Sequence, residues 1–196
     1  MAAPAPRVIV LAGPNGAGKS TSARTILAET LSVMTFVNAD VIAQGLSGFA
    51  AETTAMEAGR IMLRRLNQLA AERGDFAFET TLAGRAYAPW LQSLKATGYR
   101  VGLIYFWLES PELAVARVAQ RVREGGHSIP ETVIRQRFQR SVDNLFRLYR
   151  PLATFWQVYD NSWENHPRLI ACGDYVEREV VLEQQSWNAL RSYVGS

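Results

Sequence analysis

Gly13-Pro14-Asn15-Gly16-Ala17-Gly18-Lys19-Ser20 meets every fixed position of the pattern Gly-x-x-x-x-Gly-Lys-Ser/Thr. The chemistry served by that spacing is the holding of a nucleotide's phosphate chain. Glycines let successive backbone N–H groups turn inward with no Cβ in the way, which makes a concave nest for phosphate oxygens. Lys19 adds a point charge able to bridge the β- and γ-phosphates, and the Ser20 hydroxyl adds a hard oxygen for Mg²⁺. Residues 13–20 and the adjoining Thr21 are therefore the expected ATP-binding set.

A phosphate nest does not say what attacks the phosphate. The Asn-Lys-x-Asp run of guanine-specific switches is absent. Two apolar runs end in an acid, 101–108 before Glu109 and 76–78 before Glu79, so either glutamate offers a carboxylate near a bound cation. A third arrangement suits transfer to a small hydroxyl compound: Asp40 follows Phe36-Val37-Asn38-Ala39 and is placed to accept a hydroxyl proton as general base. Its competing role is the N-cap of a short helix over 41–46. Asn38, Glu79 and Thr80 are the expected substrate contacts beside Asp40. Residues 117–150 hold eight arginines and no lysine, and forked guanidinium donors match phosphate oxygens. Arg117 and Arg121 lie one helical turn apart, as do Arg137 and Arg140. Arg117 and Arg137 are expected on nucleotide phosphate and Arg121 at the transferring group; a solvated basic face is the alternative.

The elements that must position these groups alternate. Val8-Ile9-Val10-Leu11 makes the strand over 7–12, and residues 18–32 a helix with Ala23, Ile26, Leu27 and Leu31 on one stripe. Further strands fall at 35–38, 76–78, 99–108, 155–160 and 168–171, the last two as a closing pair. Helices are expected over 52–73, 89–97, 110–123, 131–149 and 176–193. The break at Gly125-Gly126-His127-Ser128-Ile129-Pro130 separates two of them and predicts a helical lid over about 117–140. Alternating βα units with short connections predict an α/β fold, the three-layer αβα P-loop NTPase with a mostly parallel sheet. Ligands of such sheets sit beyond the carboxyl ends of the strands. That rule brings Asn38-Ala39-Asp40, Glu79-Thr80-Thr81 and the phosphate loop to one edge.

Composition supports this placement. The chain of 196 residues is 48% hydrophobic and 20% charged, with a net charge of +3, and no run reaches the ~20 apolar residues of a membrane span. One domain over 7–196, preceded by a disordered tail over 1–6, is the expected organisation. The lone Cys172 cannot make an internal disulfide; it fits a reducing cytoplasm and a small core position. No basic run interleaved with aromatics recurs, so neither nucleic acid nor membrane is an expected partner.

Gly-Pro-Asn-Gly-Ala-Gly-Lys-Ser-Thr, Phe-Val-Asn-Ala-Asp, Phe-Glu-Thr-Thr-Leu, Gly-Gly-His-Ser-Ile-Pro and the late Tyr-Asp-Asn-Ser over 159–162, in this order, resemble the zeta-toxin family of P-loop kinases. The resemblance covers about residues 7–165. It implies phosphoryl transfer from ATP to a hydroxyl of a UDP-activated amino sugar such as UDP-N-acetylglucosamine, and an antitoxin protein as partner. By position Lys19 matches the family's loop lysine, Asp40 its base, Glu79 a substrate-contacting glutamate, and an arginine of 117–123 one lid cation. The second lid cation falls near His127, which is not arginine, so the expectation is that Arg137 or Arg140 replaces it or that the transition state is less well stabilised. A kinase for another small molecule such as an antibiotic, and a regulatory ATPase that phosphorylates nothing, remain the alternatives.

Overall fold

The structure, a computed structural model, describes residues 4–46, 51–126, 128–163, 166–174 and 179–195, and the backbone alone for 51–53. Seven strands form one sheet in the order β2-β3-β1-β4-β5-β6-β7. They are β1 (Arg7–Ala12), β2 (Phe36–Val37), β3 (Phe76–Thr80), β4 (Arg100–Trp107), β5 (Phe155–Asp160), β6 (Arg168–Asp174) and β7 (Val180–Val181). The first five run parallel, and β6 and β7 add in antiparallel fashion at one side. With its helices the sheet makes the three-layer αβα P-loop arrangement. β1 and β4 are buried almost throughout, as their continuous Val/Ile/Leu and aromatic runs require of strands covered on both faces.

One expectation about the sheet holds and one needs correction. Residues 155–160 and 168–171 do pair with each other, antiparallel as β5 and β6, and β5 also continues the parallel sheet along β4, from Gly102 opposite Phe155 to Trp107 opposite Asp160. Cys172 is half-buried on β6 near the sheet margin, so it is not a core residue. The ordered backbone also begins before Arg7. Pro6 is buried and its carbonyl accepts the Arg100 N–H at 2.8 Å, while residues 1–3 lie outside the described residues.

The helices are α1 (Lys19–Ala23), α2 (Ala39–Leu46), α3 (Ala51–Ala71), α4 (Tyr87–Ala96), α5 (Pro111–Arg123), α6 (Glu131–Asn144) and α7 (Gln184–Ser192). The helix expected over 18–32 changes character: α1 passes at Arg24–Thr30 into a π-helical stretch, closed by Leu31 N–H on the Ile26 carbonyl at 3.0 Å. Likewise the helix expected over 131–149 is α6 followed by a π-helical Leu145–Tyr149. Both ends of that wider turn are tied to the β3–α4 loop, by Asn144 Nδ2 to the Leu82 carbonyl at 2.7 Å and by the Tyr149 hydroxyl to Gly84 at 2.6 Å. Burial pushes the Tyr149 phenol up to about 12, so it donates throughout the physiological range. Of the helix expected over 176–193 only α7 forms; β7 precedes it, and 175–178 lie outside the described residues.

α7 is held through aromatic rings. Trp187 stacks on Trp156 of β5 with centroids 5.8 Å apart, and the Arg150 guanidinium lies 4.9 Å from the Trp156 ring and 5.9 Å from that of Trp187. Trp187 is fully buried and donates its Nε1–H to Glu179 at 3.2 Å. Truncation removes the packing and leaves a cavity, so Trp187→Ala is expected to cost about 3–5 kcal/mol of folding free energy. Urea denaturation measures it; a loss under about 1 kcal/mol contradicts the packing argument.

Candidate active site

The phosphate loop leaves the carboxyl end of β1 with three glycines at positive φ: Gly13 at 139°, Gly16 at 77° and Gly18 at 78°. Side chains there would be strained and would also collide. A Cβ on Gly13 would strike the Phe106 carbonyl of β4, one on Gly16 would press on Ala114 O and Arg117 Cβ of α5, and one on Gly18 would strike the Asn161 amide. The loop is thus clamped by β4, by α5 and by the residue after β5. Asn161 completes that clamp: its Nδ2 donates to the Ala17 carbonyl at 2.9 Å, and its own N–H donates to Trp107 O at 2.9 Å.

Lys19 is buried, with Nζ at 2.9 Å from the Gly13 carbonyl, 3.0 Å from that of Pro14 and 3.7 Å from Glu79 Oε1. Burial pushes its pKa below the usual lysine value; Glu79 and then Asp40 oppose the fall, and Arg121 adds to it. Asp40, Glu79 and Arg121 therefore all lie within electrostatic reach of one lysine. A buried cation facing backbone carbonyls and a single carboxylate is a fit for polyphosphate, whose oxygens supply the missing negative charge. Buried Asn15 likewise keeps a side-chain oxygen that no described residue satisfies.

Ser20, Glu79 and Asn38 meet across three elements. The Ser20 hydroxyl donates to Glu79 Oε2 at 2.7 Å, and Asn38 Nδ2 donates to the same oxygen at 2.8 Å and lies 3.4 Å from Ser20 Oγ. A hydroxyl and a carboxylate in contact are hard oxygen donors suited to Mg²⁺. Among the described residues no cluster of three or more His, Cys, Asp or Glu could cage a metal, which fits an ion held by one or two protein oxygens together with phosphates and water.

The other oxygen of Asn38 decides the role of Asp40. Asn38 Oδ1 accepts the Asp40 N–H at 2.8 Å, and the Asn38 carbonyl accepts Ile42 N–H at 3.2 Å, so Asn38 is the N-cap of α2. Asp40 sits in the first turn, so the capping role is corrected to Asn38. The Asp40 carboxylate is exposed and makes no hydrogen bond or ion pair among the described residues. Asn38, expected to contact substrate, also couples the helix that carries Asp40 to the Glu79–Ser20 pair.

The arginines divide. α5 is capped by Ser110 Oγ on Leu113 N–H at 3.1 Å and ends in a Schellman turn, with Gly126 N–H on the Arg121 carbonyl at 2.8 Å and Gly125 N–H on Val122 at 3.0 Å. The glycines read as a hinge are thus first a helix stop. Arg117 donates to the carbonyls of Asn161 at 2.6 Å and Ser162 at 3.1 Å, binding α5 to the loop after β5. Arg121 is exposed within reach of Lys19. Arg135 pairs with Glu112 of α5 and with Glu131, which fastens α6 to α5. Arg137 is half-buried on α6, and Arg140 faces away toward the β3–α4 loop. Thr80 Oγ accepts the Leu82 N–H at 3.1 Å in a turn, Thr21 is exposed, and His127 lies outside the described residues.

Sequence reasoning assigned no role to Asn161 or Ser162. Ser162 Oγ accepts the Glu109 N–H at 2.8 Å and donates to Asp160 at 2.6 Å, so the two residues knit β4, β5, α5 and the phosphate loop together. The signal was available, because they follow the carboxyl end of a strand in a sheet whose ligands bind there.

Fold and loop together define a P-loop protein of the kinase type. The chain belongs to the zeta toxin family, whose family model, described as Zeta toxin, matches residues 1–165. An uncharacterized protein of Haemophilus influenzae is 27% identical over 132 residues, 67% of this chain and 92% of that one. Among solved structures, a chain from the PezAT chromosomal toxin-antitoxin system of Streptococcus pneumoniae superposes with a TM-score of 0.71 at 19% identity, covering 100% of this chain and 81% of the other. A chain of the AvrRxo1-ORF1:-ORF2 assembly with ATP gives a TM-score of 0.75 at 18% identity and covers 98% of this chain. This chain spans only 65% of the AvrRxo1 chain's length. Among the described residues no helix is long and apolar enough to cross a membrane.

Proposed function

We propose that the protein transfers the γ-phosphoryl group of ATP to a hydroxyl of a small polar acceptor, a UDP-activated amino sugar of the UDP-N-acetylglucosamine kind. The observation that carries this reading is the Asp40 carboxylate, exposed and unpartnered on the first turn of α2, within electrostatic reach of the loop lysine. A nucleotide switch needs no such carboxylate; a kinase needs one to take the acceptor's proton. ATP in the AvrRxo1 assembly supports the donor, and the PezAT system supports an antitoxin as partner. A reducing cytoplasm is the compartment that belongs to this reading.

In the proposed reaction Asp40 accepts the proton of the attacking hydroxyl while Lys19 and Arg121 face the charge on the transferring group. Lys19 exchanges a contact with the Gly13 or Pro14 carbonyl for phosphate oxygen. Ser20 and Glu79 would hold Mg²⁺, which would supply neutralisation of phosphate charge. Thr21, Arg117 and Arg137 complete the proposed nucleotide contacts, and Thr80 stands beside the acceptor. Incubation with ATP, Mg²⁺ and a panel of nucleotide sugars and other hydroxyl compounds, read by mass, tests the assignment. One acceptor is expected to gain a phosphoryl group, and a panel left unmodified contradicts the reading.

Asn38 separates positioning from capping. Asn38→Ser keeps an acceptor oxygen for the α2 cap but loses the amide that holds Glu79. A hydrogen bond to a charged group contributes about 1.5–3 kcal/mol, so kcat is expected to fall about tenfold or more with little change in Tm. Asn38→Ala removes both bonds and is expected to lose a further ~1 kcal/mol of stability. Wild-type kcat in Asn38→Ser, or the same Tm in the two variants, contradicts the double role.

A further inference from the structure

We propose that Asn161 is a positioning residue of the phosphate loop: its side-chain amide sets the orientation of the peptide that joins Ala17 to Gly18, so that the Gly18 N–H is presented to phosphate before a nucleotide arrives. This rests on the nucleotide reading above and deepens it. Asn161 Nδ2 donates to the Ala17 carbonyl at 2.9 Å. The peptide is trans, so a carbonyl drawn toward Asn161 sends the Gly18 N–H the opposite way. That N–H has no partner among the described residues and is left for an acceptor that the loop does not itself supply. Phosphate oxygen is the acceptor such a loop is built for. A peptide turned over would present the Ala17 carbonyl in its place, and carbonyl oxygen repels phosphate.

Gly18 is what makes the tether necessary. With φ at 78° and no side chain, it leaves the peptide before it free to turn at low cost. The same missing side chain admits the tether, because a Cβ on Gly18 would lie 2.4 Å from Asn161 Nδ2. Ala17 is fully buried and its own N–H closes a turn on the Pro14 carbonyl at 3.3 Å, so one end of the peptide is fixed already. The donor is fixed as well. Asn161 N–H is held by Trp107 O at 2.9 Å, and the Arg117 guanidinium of α5 holds the carbonyls of Asn161 and Ser162 at 2.6 and 3.1 Å. Buried Asp160 accepts from the Ser162 N–H and hydroxyl through one oxygen, at 2.9 and 2.6 Å, and from Ser186 of α7 through the other at 3.2 Å. An amide carried on so many supports does not follow the peptide if it turns, so it selects one orientation. Without it both orientations are populated, and the apparent Kd of a nucleotide that binds one of them rises in proportion.

Calorimetry with a non-hydrolysable ATP analogue and Mg²⁺ tests this on wild type, Asn161→Ala, Asn161→Gln, Lys19→Met and Thr154→Val. The last is a control that loses a side-chain bond of similar kind, to the Val101 N–H at 3.0 Å, at the far end of β5. Asn161→Ala is expected to bind about three- to tenfold more weakly, the worth of one neutral hydrogen bond, and Thr154→Val like wild type. Asn161→Gln keeps the donor on a longer arm and is expected to recover part of the affinity. Spectra of protein labelled with ¹⁵N-glycine supply a signature that loss of stability alone does not give. The Gly18 amide resonance is expected to be single and sharp in wild type, broadened by exchange in Asn161→Ala, and sharp again once the analogue is bound. Wild-type affinity and a sharp Gly18 resonance in Asn161→Ala, with Lys19→Met weakened, overturn the positioning role and leave the nucleotide reading standing. An equal loss of affinity in Thr154→Val also overturns it. No binding of the analogue to wild type removes the nucleotide reading and the proposal with it.

Discussion

Asp40→Asn is expected to lower kcat for acceptor phosphorylation at least about a hundredfold while ATP affinity and Tm stay close to wild type. A carboxylate that takes the hydroxyl proton as the phosphoryl group moves contributes typically about 10²- to 10⁴-fold, or about 3–5 kcal/mol of barrier. Stability does not enter, because Asn38 and not Asp40 caps α2, and the Asp40 carboxylate makes no bond among the described residues that its amide would break. Steady-state kinetics beside a melting curve checks both halves. Phosphorylation surviving within about threefold assigns the proton to another group, and Glu79, which already faces Ser20, is then the next residue to replace.

Lys19→Met is expected to be at least as severe toward the nucleotide and harmless to the fold. The substitution keeps the volume of a buried side chain and removes a charge whose burial cost is offset chiefly by Glu79 and Asp40. Loss of a charged donor to phosphate weakens ATP binding about tenfold or more, and loss of charge stabilisation at the transferring group lowers kcat by about 10²–10³-fold. The same residue gives wild type a pH signature. Its folded pKa lies below the ordinary lysine value, so the unfolded chain holds the proton more tightly and stability rises as pH climbs through the folded pKa toward the unfolded one. Over that window ATP affinity falls, because the neutral amine no longer faces the phosphates. Lys19→Met lacks both trends. A variant that retains wild-type affinity and turnover contradicts the role of the loop.

How much of this was legible in the sequence depended on whether local pattern or tertiary contact decided the outcome. Strands β1, β3 and β4 were readable because a sheet covered on both faces demands continuous apolar runs, and the phosphate loop because its glycines serve backbone angles that few other residues adopt. The π-helical stretches were not readable: the one after Asn144 answers tethers to Leu82 and Gly84, more than sixty residues away in the chain. Asp40 was readable as a residue at the active edge, but its competing role as a cap could not be settled, since Asn38 two positions earlier has equal capping ability and only the folded geometry chooses between them. Asn161 reaches Ala17 across 144 residues of sequence, a contact that no local spacing encodes.

The central claim is that the γ-phosphoryl group leaves ATP for an acceptor hydroxyl and not for water. ATP labelled in its γ-phosphoryl group, incubated with the protein, Mg²⁺ and UDP-N-acetylglucosamine, tests it in one measurement. The label is expected in a phosphorylated nucleotide sugar, faster than in inorganic phosphate, with transfer lost in Asp40→Asn. Label released only as inorganic phosphate, at a rate that neither the nucleotide sugar nor any other hydroxyl acceptor changes, would make the protein an ATP-hydrolysing switch and contradict the account.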